Sequence, residues 1–258
     1  MKKLKIAFAA FILLIPAFLY AELTGAEVMQ EVYNRPKGNG MASELVMTIT
    51  NSRGSVRVRS IQQYQLKENG VEKKLMFFTT PADVKGTSFM TWSYENGQSD
   101  DRWIYLPAMR RIRRITSDGS NDSFMGSDFT YEDMTLRFPD LDRHQVTGEE
   151  QIQGRSYLVV ESTPLNPVQG YRFTRSWIDP DTYAGIRKEF IDSTGQVVRR
   201  LSVESIKQVD GIWVVTDMTM ENLVKKSSTR IQMQEVTFDS GLNDSFFSER
   251  QMQRGPKR

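Results

Sequence analysis

Hydrophobic and polar residues alternate along most of the chain beyond residue 42, a pattern typical of β-strands that bury one face. Leu45, Met47 and Ile49 alternate with polar residues, and Val56 and Val58 alternate with arginines. Further strand-like runs occupy residues 75–78, 102–106, 157–162, 171–178, 186–192, 197–206, 212–222 and 229–239. Their regular spacing predicts about ten or eleven strands in an antiparallel barrel or sandwich.

Turn signals separate these runs. Residues 51–54, Asn69-Gly70 and Asn96-Gly97 each predict a hairpin, because asparagine and glycine tolerate the positive φ that tight turns require. Asp210-Gly211 predicts another hairpin farther along. The chain shows neither a linker nor a repeat, so residues 22–258 are predicted to form a single β domain.

Two segments depart from the strand pattern. Thr24 and Glu27 form a capping box ahead of an apolar stripe, which predicts a short helix that ends near Pro36 and Gly38. Residues 117–139 are rich in Gly, Ser, Asp and aromatics, and predict a loop with a short helical piece around 131–137. A long irregular segment within a β domain is usually functional or disordered.

The N-terminus has the three parts of a secretory signal peptide. Lys2, Lys3 and Lys5 precede an apolar run over 6–19, and small Ala21 precedes the polar mature chain. We expect residues 1–21 to be cleaved after Ala21, with an uncleaved anchor as the alternative. The apolar run is short for a span, which needs about 20 residues. A soluble periplasmic protein is therefore expected.

Charge and cysteine content exclude several classes of function. The whole chain has 34 basic and 32 acidic residues, and the predicted signal peptide holds three of the lysines and no acid. The mature chain is close to neutral, so no overall field attracts nucleic acid. Since the chain has no cysteine, disulfides, thiolate chemistry and a lipid-modified N-terminal cysteine are all excluded.

Catalytic motifs are not found in the sequence. His144 is the only histidine and lies in a polar stretch, where a solvated loop or strand residue is expected. Metal sites with two histidines are excluded, as are the G-x-S-x-G nucleophile turn and a glycine-rich phosphate loop. Asp100-Asp101 and Glu132-Asp133 are acid pairs, but neighbouring strand residues point to opposite faces. We expect no enzymatic activity, no cofactor and no metal.

Methionines and aromatics are concentrated in the predicted strands and around residues 77–133. Methionine is flexible and polarizable, so it suits surfaces that fit variable apolar ligands, although ordinary core packing is the alternative for each residue. Together they favour an apolar binding cavity. The candidate lining residues are Met47, Phe77, Phe89, Trp92, Trp103, Tyr105, Met125, Phe129, Met218 and Met220.

The arginine run formed by Arg110, Arg111, Arg113 and Arg114 has three interpretations. It is a solvated strand face with surface ion pairs, a contact for phospholipid head groups or an acidic partner, or a nucleic-acid patch. Each basic residue near an anionic membrane contributes about 1 kcal/mol. Secretion and the near-neutral mature charge argue against nucleic acid.

Several blocks resemble the outer membrane lipoprotein-sorting protein family, a branch of the LolA-like superfamily. They are PADVKGTSF at 81–89, RWIYLPAMRRIRRI at 102–115, FMGSDFTYED at 124–133, SWIDPDT at 176–182 and RKEFIDSTGQ at 187–196. The resemblance implies an incomplete, strongly curved antiparallel β-barrel of about eleven strands, closed on one side by helices. It implies a monomeric periplasmic carrier whose apolar interior holds acyl chains, with no catalytic residues.

The expected cargo is a lipoprotein, a phospholipid or a hopanoid-like lipid, and the expected partners are an RND/MMPL-type exporter or an outer-membrane acceptor. The N-terminal helix and residues 117–139 are the candidate lid. The alternative is a periplasmic adaptor or sensor that binds a transporter or signalling protein without ferrying cargo. A carrier predicts a continuous apolar cavity, whereas an adaptor predicts a collapsed barrel and an exposed patch at 110–114.

Overall fold

The computed structural model describes residues 23–38, 40–95 and 98–257. The predicted signal peptide and Asn96-Gly97 lie outside this part. Within it the fold is mainly β. The strands are β1 (Gly40–Thr50), β2 (Val56–Glu68), β3 (Val71–Thr80), β4 (Ser88–Tyr94), β5 (Asp101–Leu106), β6 (Arg111–Arg114), β7 (Asp142–Ile152), β8 (Arg155–Pro164), β9 (Phe173–Ile178), β10 (Gly185–Ile191), β11 (Val197–Val209), β12 (Ile212–Asn222) and β13 (Ser227–Phe238).

All of these strands form one antiparallel sheet made of two meanders. Strands β1 to β6 are successive neighbours, as are β7 to β13, and β1 pairs with β13 at the centre. We call β1–β6 the N-terminal half and β7–β13 the C-terminal half. The edge strands are β6 and β7, which do not pair with each other in the described chain, so the sheet is curved but not closed.

The crossover segment, residues 115–141, connects the two edges and lies against the concave face. Its aromatic residues pack in one core with side chains from both halves, including Phe78 of β3 and Phe190 of β10. Strands β3 and β10 are far apart in the order of the sheet, so their side chains can share one core only because the sheet curves around the segment. The crossover segment is an irregular chain with short 3₁₀ turns, and closure of one side by helices, which the resemblance implied, is not confirmed.

The C-terminal segment covers the opposite, outer face of the N-terminal half. Phe247 and Met252 pack against Leu75, Phe77 and Met90. Helix α2 (Glu249–Arg254) carries Met252, whose carbonyl accepts a 3.0 Å hydrogen bond from the buried Ser88 hydroxyl. Strands β3 and β4 are therefore buried on both faces.

The predicted N-terminal helix is confirmed as α1 (Gly25–Asn34), and its capping box is complete. The Thr24 amide donates to the Glu27 carboxylate at 2.7 Å, and the Glu27 amide donates back to the Thr24 hydroxyl at 3.3 Å. Val28 packs on Val160 and Ile178, which places α1 over β8 and β9. A Cβ on Gly25 would lie 2.5 Å from the Gln145 backbone, so this glycine permits the close approach of α1 to β7.

The sheet has thirteen strands rather than about eleven. The short β6 contains three arginines, and β7 is largely exposed along its length. Both are edge strands that lack a clear apolar face, so the alternation that reveals a strand is weak there. The hairpins at 51–54, Asn69-Gly70 and Asp210-Gly211 are confirmed. Among the described residues, every helix is too short or too polar to cross a bilayer.

Candidate functional site

Polar contacts from distant strands hold the crossover segment in place. Glu132 accepts from Arg102 of β5 at 2.6 Å, and the Met134 carbonyl accepts from the Lys74 ammonium of β3 at 2.9 Å. On the other side, Asp133 pairs with Arg199 of β11 at 2.5 Å. Because these partners come from both halves, the segment bridges the two halves of the sheet.

A buried carboxylate makes the tightest of these attachments. Asp128 accepts hydrogen bonds from the hydroxyls of Ser227 at 2.5 Å and Thr229 at 2.7 Å, both on β13. Its own backbone N–H donates to the Thr229 hydroxyl at 2.9 Å. Thr229 is fully buried, so water cannot replace these bonds easily.

Aromatic rings anchor the segment to the N-terminal half. Phe124 lies 5.2 Å from Phe89 and 6.0 Å from Phe78 between ring centroids, and Tyr131 lies 5.4 Å from both Phe124 and Phe89. Phe78, Phe89 and Phe124 are buried. The concave face of this half is thus filled by protein.

The concave face of the C-terminal half is only partly filled. A cavity of about 190 Å³ lies between the crossover segment and β10–β12. Its apolar lining residues are Phe129, Met134, Phe190, Leu201, Met218 and Met220. Its polar lining includes Lys188, Arg199, Asp133, Arg137 and Tyr171. The cavity therefore combines an apolar wall with charged groups, rather than being wholly apolar.

Burial affects the titration of two of these groups. It lowers the pKa of Lys188 below the usual lysine value, against the opposing attraction of Asp133 and Asp142. Burial also raises the pKa of Tyr171 to about 12. Both shifts follow from the cost of placing a charge where water is largely excluded.

Two further cavities adjoin this one. A space of about 270 Å³ shares Phe129, Thr130 and Arg199 with the cavity and reaches the surface at Val224 and Lys225. We call it the mouth. A second space of about 240 Å³ shares Met218 and extends along β12 and β13 towards Trp213 and the end of α1. The open volume of the concave face therefore lies along the C-terminal half.

The structure separates the predicted cavity residues into two groups on opposite faces of the sheet. Those on the concave side are Met47, Phe89, Met125, Phe129, Met218 and Met220. Those on the outer face, packed with the C-terminal segment, are Phe77, Trp92, Trp103 and Tyr105. A cavity on the concave face does not include the second group, which packs with the C-terminal segment in this structure. Alternation along β3 to β5 causes the split, since neighbouring residues face opposite sides.

Within the concave group, only part borders open space. Phe129, Met218 and Met220 line the cavity. Met47 and Phe89 are fully packed in the core, and Met125 is half-buried against it. Sequence analysis did not identify Lys188, Leu201 or Phe190 as lining residues. The strand pattern could have found them: Lys188 and Phe190 are two residues apart on β10 and therefore share a face, and Lys188 pairs with Leu201 on β11.

The arginine run lies at the β5–β6 hairpin, on the edge of the sheet. Arg110, Arg111, Arg113 and Arg114 are all exposed, and Arg110 adopts a left-handed conformation with φ of 47°. Arg114 forms an ion pair with Asp101. The first interpretation, a solvated strand face with surface ion pairs, is thus met by one of the four arginines, Arg114.

The acidic pairs and His144 have structural roles. Asp100 and Glu132 both contact Arg102, and the two His144 ring nitrogens lie 2.8 Å from the Ser162 hydroxyl and 2.7 Å from the Pro139 carbonyl. His144 is a half-buried strand residue that secures the end of the crossover segment, not a solvated one. In the described ranges, acidic and histidine side chains form no cluster suited to a metal ion.

Comparison with known proteins identifies the family. A family model described as "-like: Uncharacterized protein" matches residues 70–254. A DUF1329 family protein from Desulfovibrio piger is 32% identical, with a TM-score of 0.84 over 89% of this chain and 98% of its own. An outer membrane lipoprotein-sorting protein domain from Vibrio parahaemolyticus is 30% identical, with the same TM-score and coverage. The chain belongs to the outer membrane lipoprotein-sorting protein family.

A more distant similarity places this family in the LolA-like fold. A LolA superfamily protein from Nitrosomonas europaea has a TM-score of 0.69 over 89% of this chain and 100% of its own, at 15% identity. At that identity the similarity concerns the fold alone. No curated protein matches the chain.

Proposed function

We propose that this lipoprotein-sorting family member is a periplasmic carrier that binds acyl chains on the concave face of its C-terminal half. The supporting observation is the cavity between the crossover segment and β10–β12, which has an apolar wall and reaches the surface through the mouth. Membership in the family and the LolA-like fold favour the same role. Binding and release of cargo, rather than catalysis, is the proposed activity.

The energetics of acyl transfer suit such a cavity. Each methylene removed from water contributes about 0.8 kcal/mol, so a dry groove binds a long chain without specific chemistry. The cavity of about 190 Å³ is smaller than most ligand pockets, which range over about 300–1,000 Å³. A full-length chain therefore requires the adjoining spaces or a displacement of the crossover segment.

We infer that the crossover segment is the lid of this groove. It covers the concave face, and ion pairs and hydrogen bonds tether it, with Asp128 bonded to β13 and Asp133 paired with Arg199. Cargo that enters along β11 and β12 would replace the apolar contacts of Phe129 and Met134. Helix α1 is the less favoured lid, since Gly25 and Val28 fit it closely against β7–β9.

A fluorescent palmitoyl probe tests the site. Leu201→Trp places a large ring in the cavity and is expected to weaken probe binding at least tenfold. Thr219→Trp is the matched control, because Thr219 lies on β12 between Met218 and Met220 and faces the outer side. Equal binding by wild type and Leu201→Trp, with both variants folded, would contradict the proposed site.

The cargo class requires a separate experiment. Mass spectrometry of lipid extracted from the protein, purified gently from its own periplasm, would distinguish a lipoprotein acyl group, a phospholipid and a hopanoid-like lipid. A stoichiometric lipid supports the carrier. A protein that is empty, and remains empty after incubation with total membrane lipid, would contradict it.

The exposed arginines favour a second candidate, an adaptor that binds a transporter or signalling protein. Arg110, Arg111 and Arg113 are exposed on an edge hairpin, where an acidic partner surface has free access. An RND/MMPL-type exporter or an outer-membrane acceptor is the proposed kind of partner for either role. Crosslinking from position 111 in intact cells, followed by identification of the captured protein, tests this candidate.

A further inference from the structure

Two neighbouring turns form an exposed rim with an unusual composition. The rim consists of residues 51–58, which form the β1–β2 turn and the start of β2, and residues 223–226, which connect β12 to β13. The turns are adjacent because Thr50 pairs with both Val56 and Ser228, while Ser227 pairs with Asn222. Strand β2 pairs with β3 only from Ser60 onward, so the start of β2 projects beyond its neighbour.

Large aliphatic side chains are exposed on this rim. The exposed fractions are 55% for Val56, 50% for Val58, 38% for Leu223 and 71% for Val224. Val224 is the most exposed large hydrophobic residue in the described chain. Valine contributes little to stability when half or more of it remains in water, so packing does not account for this group.

The charged residues of the rim are all basic. Arg53, Arg57, Lys225 and Lys226 are exposed, and neither 51–58 nor 223–226 contains an acidic residue. Over the whole chain the two signs are nearly balanced, with 34 basic and 32 acidic residues. Aliphatic side chains interleaved with cations are typical of surfaces that insert into the head-group region of an anionic membrane.

The rim is continuous with the entrance to the cavity. Val224 and Lys225 line the mouth, whose far side is formed by the crossover segment. A bilayer against the rim would therefore face the opening that leads to β10–β12. Stable protein interfaces use about 20–30 residues per side. The rim is much smaller than that, which favours a membrane over a protein surface.

We propose that the rim docks this protein on an anionic phospholipid bilayer and directs the mouth towards the membrane. The inference extends the proposed carrier function, on which its purpose depends. Val56, Val58 and Val224 enter the head-group region, while Arg53, Arg57, Lys225 and Lys226 contact lipid phosphates. An acyl chain then passes from the bilayer to the cavity with little exposure to water.

Vesicle binding tests the proposal. Protein purified from the periplasm of cells that express the full chain is sedimented with vesicles of phosphatidylglycerol and phosphatidylcholine, or of phosphatidylcholine alone. We expect salt-sensitive binding to the anionic vesicles only. Lys225→Glu with Lys226→Glu is expected to weaken it at least tenfold, because each basic residue near such a surface contributes roughly fivefold. Val224→Asp is expected to weaken it as well.

A charge-matched control separates docking from general electrostatics. Arg250→Glu with Arg254→Glu makes the same charge change at exposed positions of α2, and is expected to leave vesicle binding unchanged. Equal losses in both double variants would overturn the proposal, as would wild-type protein that ignores anionic vesicles. Binding that depends on charge but not on Val224 would also overturn it, because it would show electrostatic adsorption without insertion of the aliphatic side chains.

The palmitoyl probe in solution distinguishes the two proposals. A rim variant away from the mouth, Arg53→Glu with Val56→Asp, is expected to weaken vesicle binding and to bind the probe as wild type does, which also verifies that it is folded. Rim-dependent vesicle binding without any probe binding would refute the carrier function and leave the docking surface in place. Normal probe binding without vesicle binding would refute only the docking surface.

Discussion

Both halves of the sheet are antiparallel meanders, but the N-terminal half is packed more completely than the C-terminal half. In the N-terminal half, β3 and β4 are buried on both faces, beneath Phe124 of the crossover segment on one side and Phe247 on the other. In the C-terminal half, β11 is half-buried along most of its length, and the cavity lies against it. The difference fits the proposed division into a scaffold half and a half that binds the ligand.

The largest expected effect is a contrast in stability between two equivalent substitutions. Leu75 of β3 is fully buried, so Leu75→Ala leaves a cavity and should lower the free energy of unfolding by about 2–5 kcal/mol. Leu201→Ala, beside open space in β11, should cost on the order of 1 kcal/mol. Denaturant unfolding measures both. Equal losses would contradict the division into scaffold and binding half.

The attachment of the crossover segment gives the next effect. Thr229→Val retains the side-chain shape but removes the hydroxyl that bonds Asp128, at an expected cost of about 1–3 kcal/mol. Hydrogen exchange across 120–135 should accelerate while β3 and β4 remain protected. Thr237→Val, an exposed threonine on the same strand, is the control. Uniformly faster exchange would show that the segment is not a separable lid.

Lys188 provides a pH-dependent test within the cavity. Its folded-state pKa is lowered by burial, so the unfolded chain takes up this proton at higher pH than the folded one. Stability attributable to Lys188 therefore rises with pH between that lowered value and the usual lysine pKa near 10.4. The charged groups that act on it are Asp133, Asp142, Arg137 and Arg199.

We therefore expect Lys188→Met to be more stable than wild type at neutral pH, by about 1 kcal/mol. The difference should shrink as the pH approaches 10. Urea unfolding of both proteins from pH 7 to pH 10 measures it. A difference that is constant across this range would mean that Lys188 is not destabilised by its surroundings.

The smallest stability effect is expected at the sheet edge. Arg111→Glu with Arg113→Glu changes two exposed side chains, so the free energy of unfolding should shift by less than about 0.5 kcal/mol. Contact with anionic vesicles or an exporter should weaken if these residues face a head group or partner. Unchanged binding to both would leave the run as a solvated strand face.

The elements that were predicted correctly have strong local signals. The capping box at Thr24 and Glu27 defined α1, and Asn69-Gly70 defined the β2–β3 hairpin, where both residues adopt positive φ. Clear alternation defined β1 and β12. Edge strands β6 and β7 were missed because their exposed residues follow no apolar period. Strand β4 was also absent from the predicted runs, because it is buried on both faces and shows no alternation.

The proposed binding surface was harder to predict because it depends on which face of each strand is turned inward. Phe77 and Phe78 are neighbours and equally apolar, yet they belong to separate cores on opposite faces. Only the pairing register and the path of the crossover segment decide between them. Lys188 was missed for a related reason, since a lysine in a strand ordinarily indicates a solvent-facing position.

Photo-crosslinking tests the central claim most directly. The protein is loaded with a palmitic acid analogue that carries a photoreactive group on the chain, irradiated, digested and mapped by mass spectrometry. The account predicts labels between 186 and 220 and in the crossover segment around Phe129. Labels concentrated around Trp92, Trp103 and the C-terminal segment would place the acyl chain on the outer face and contradict it.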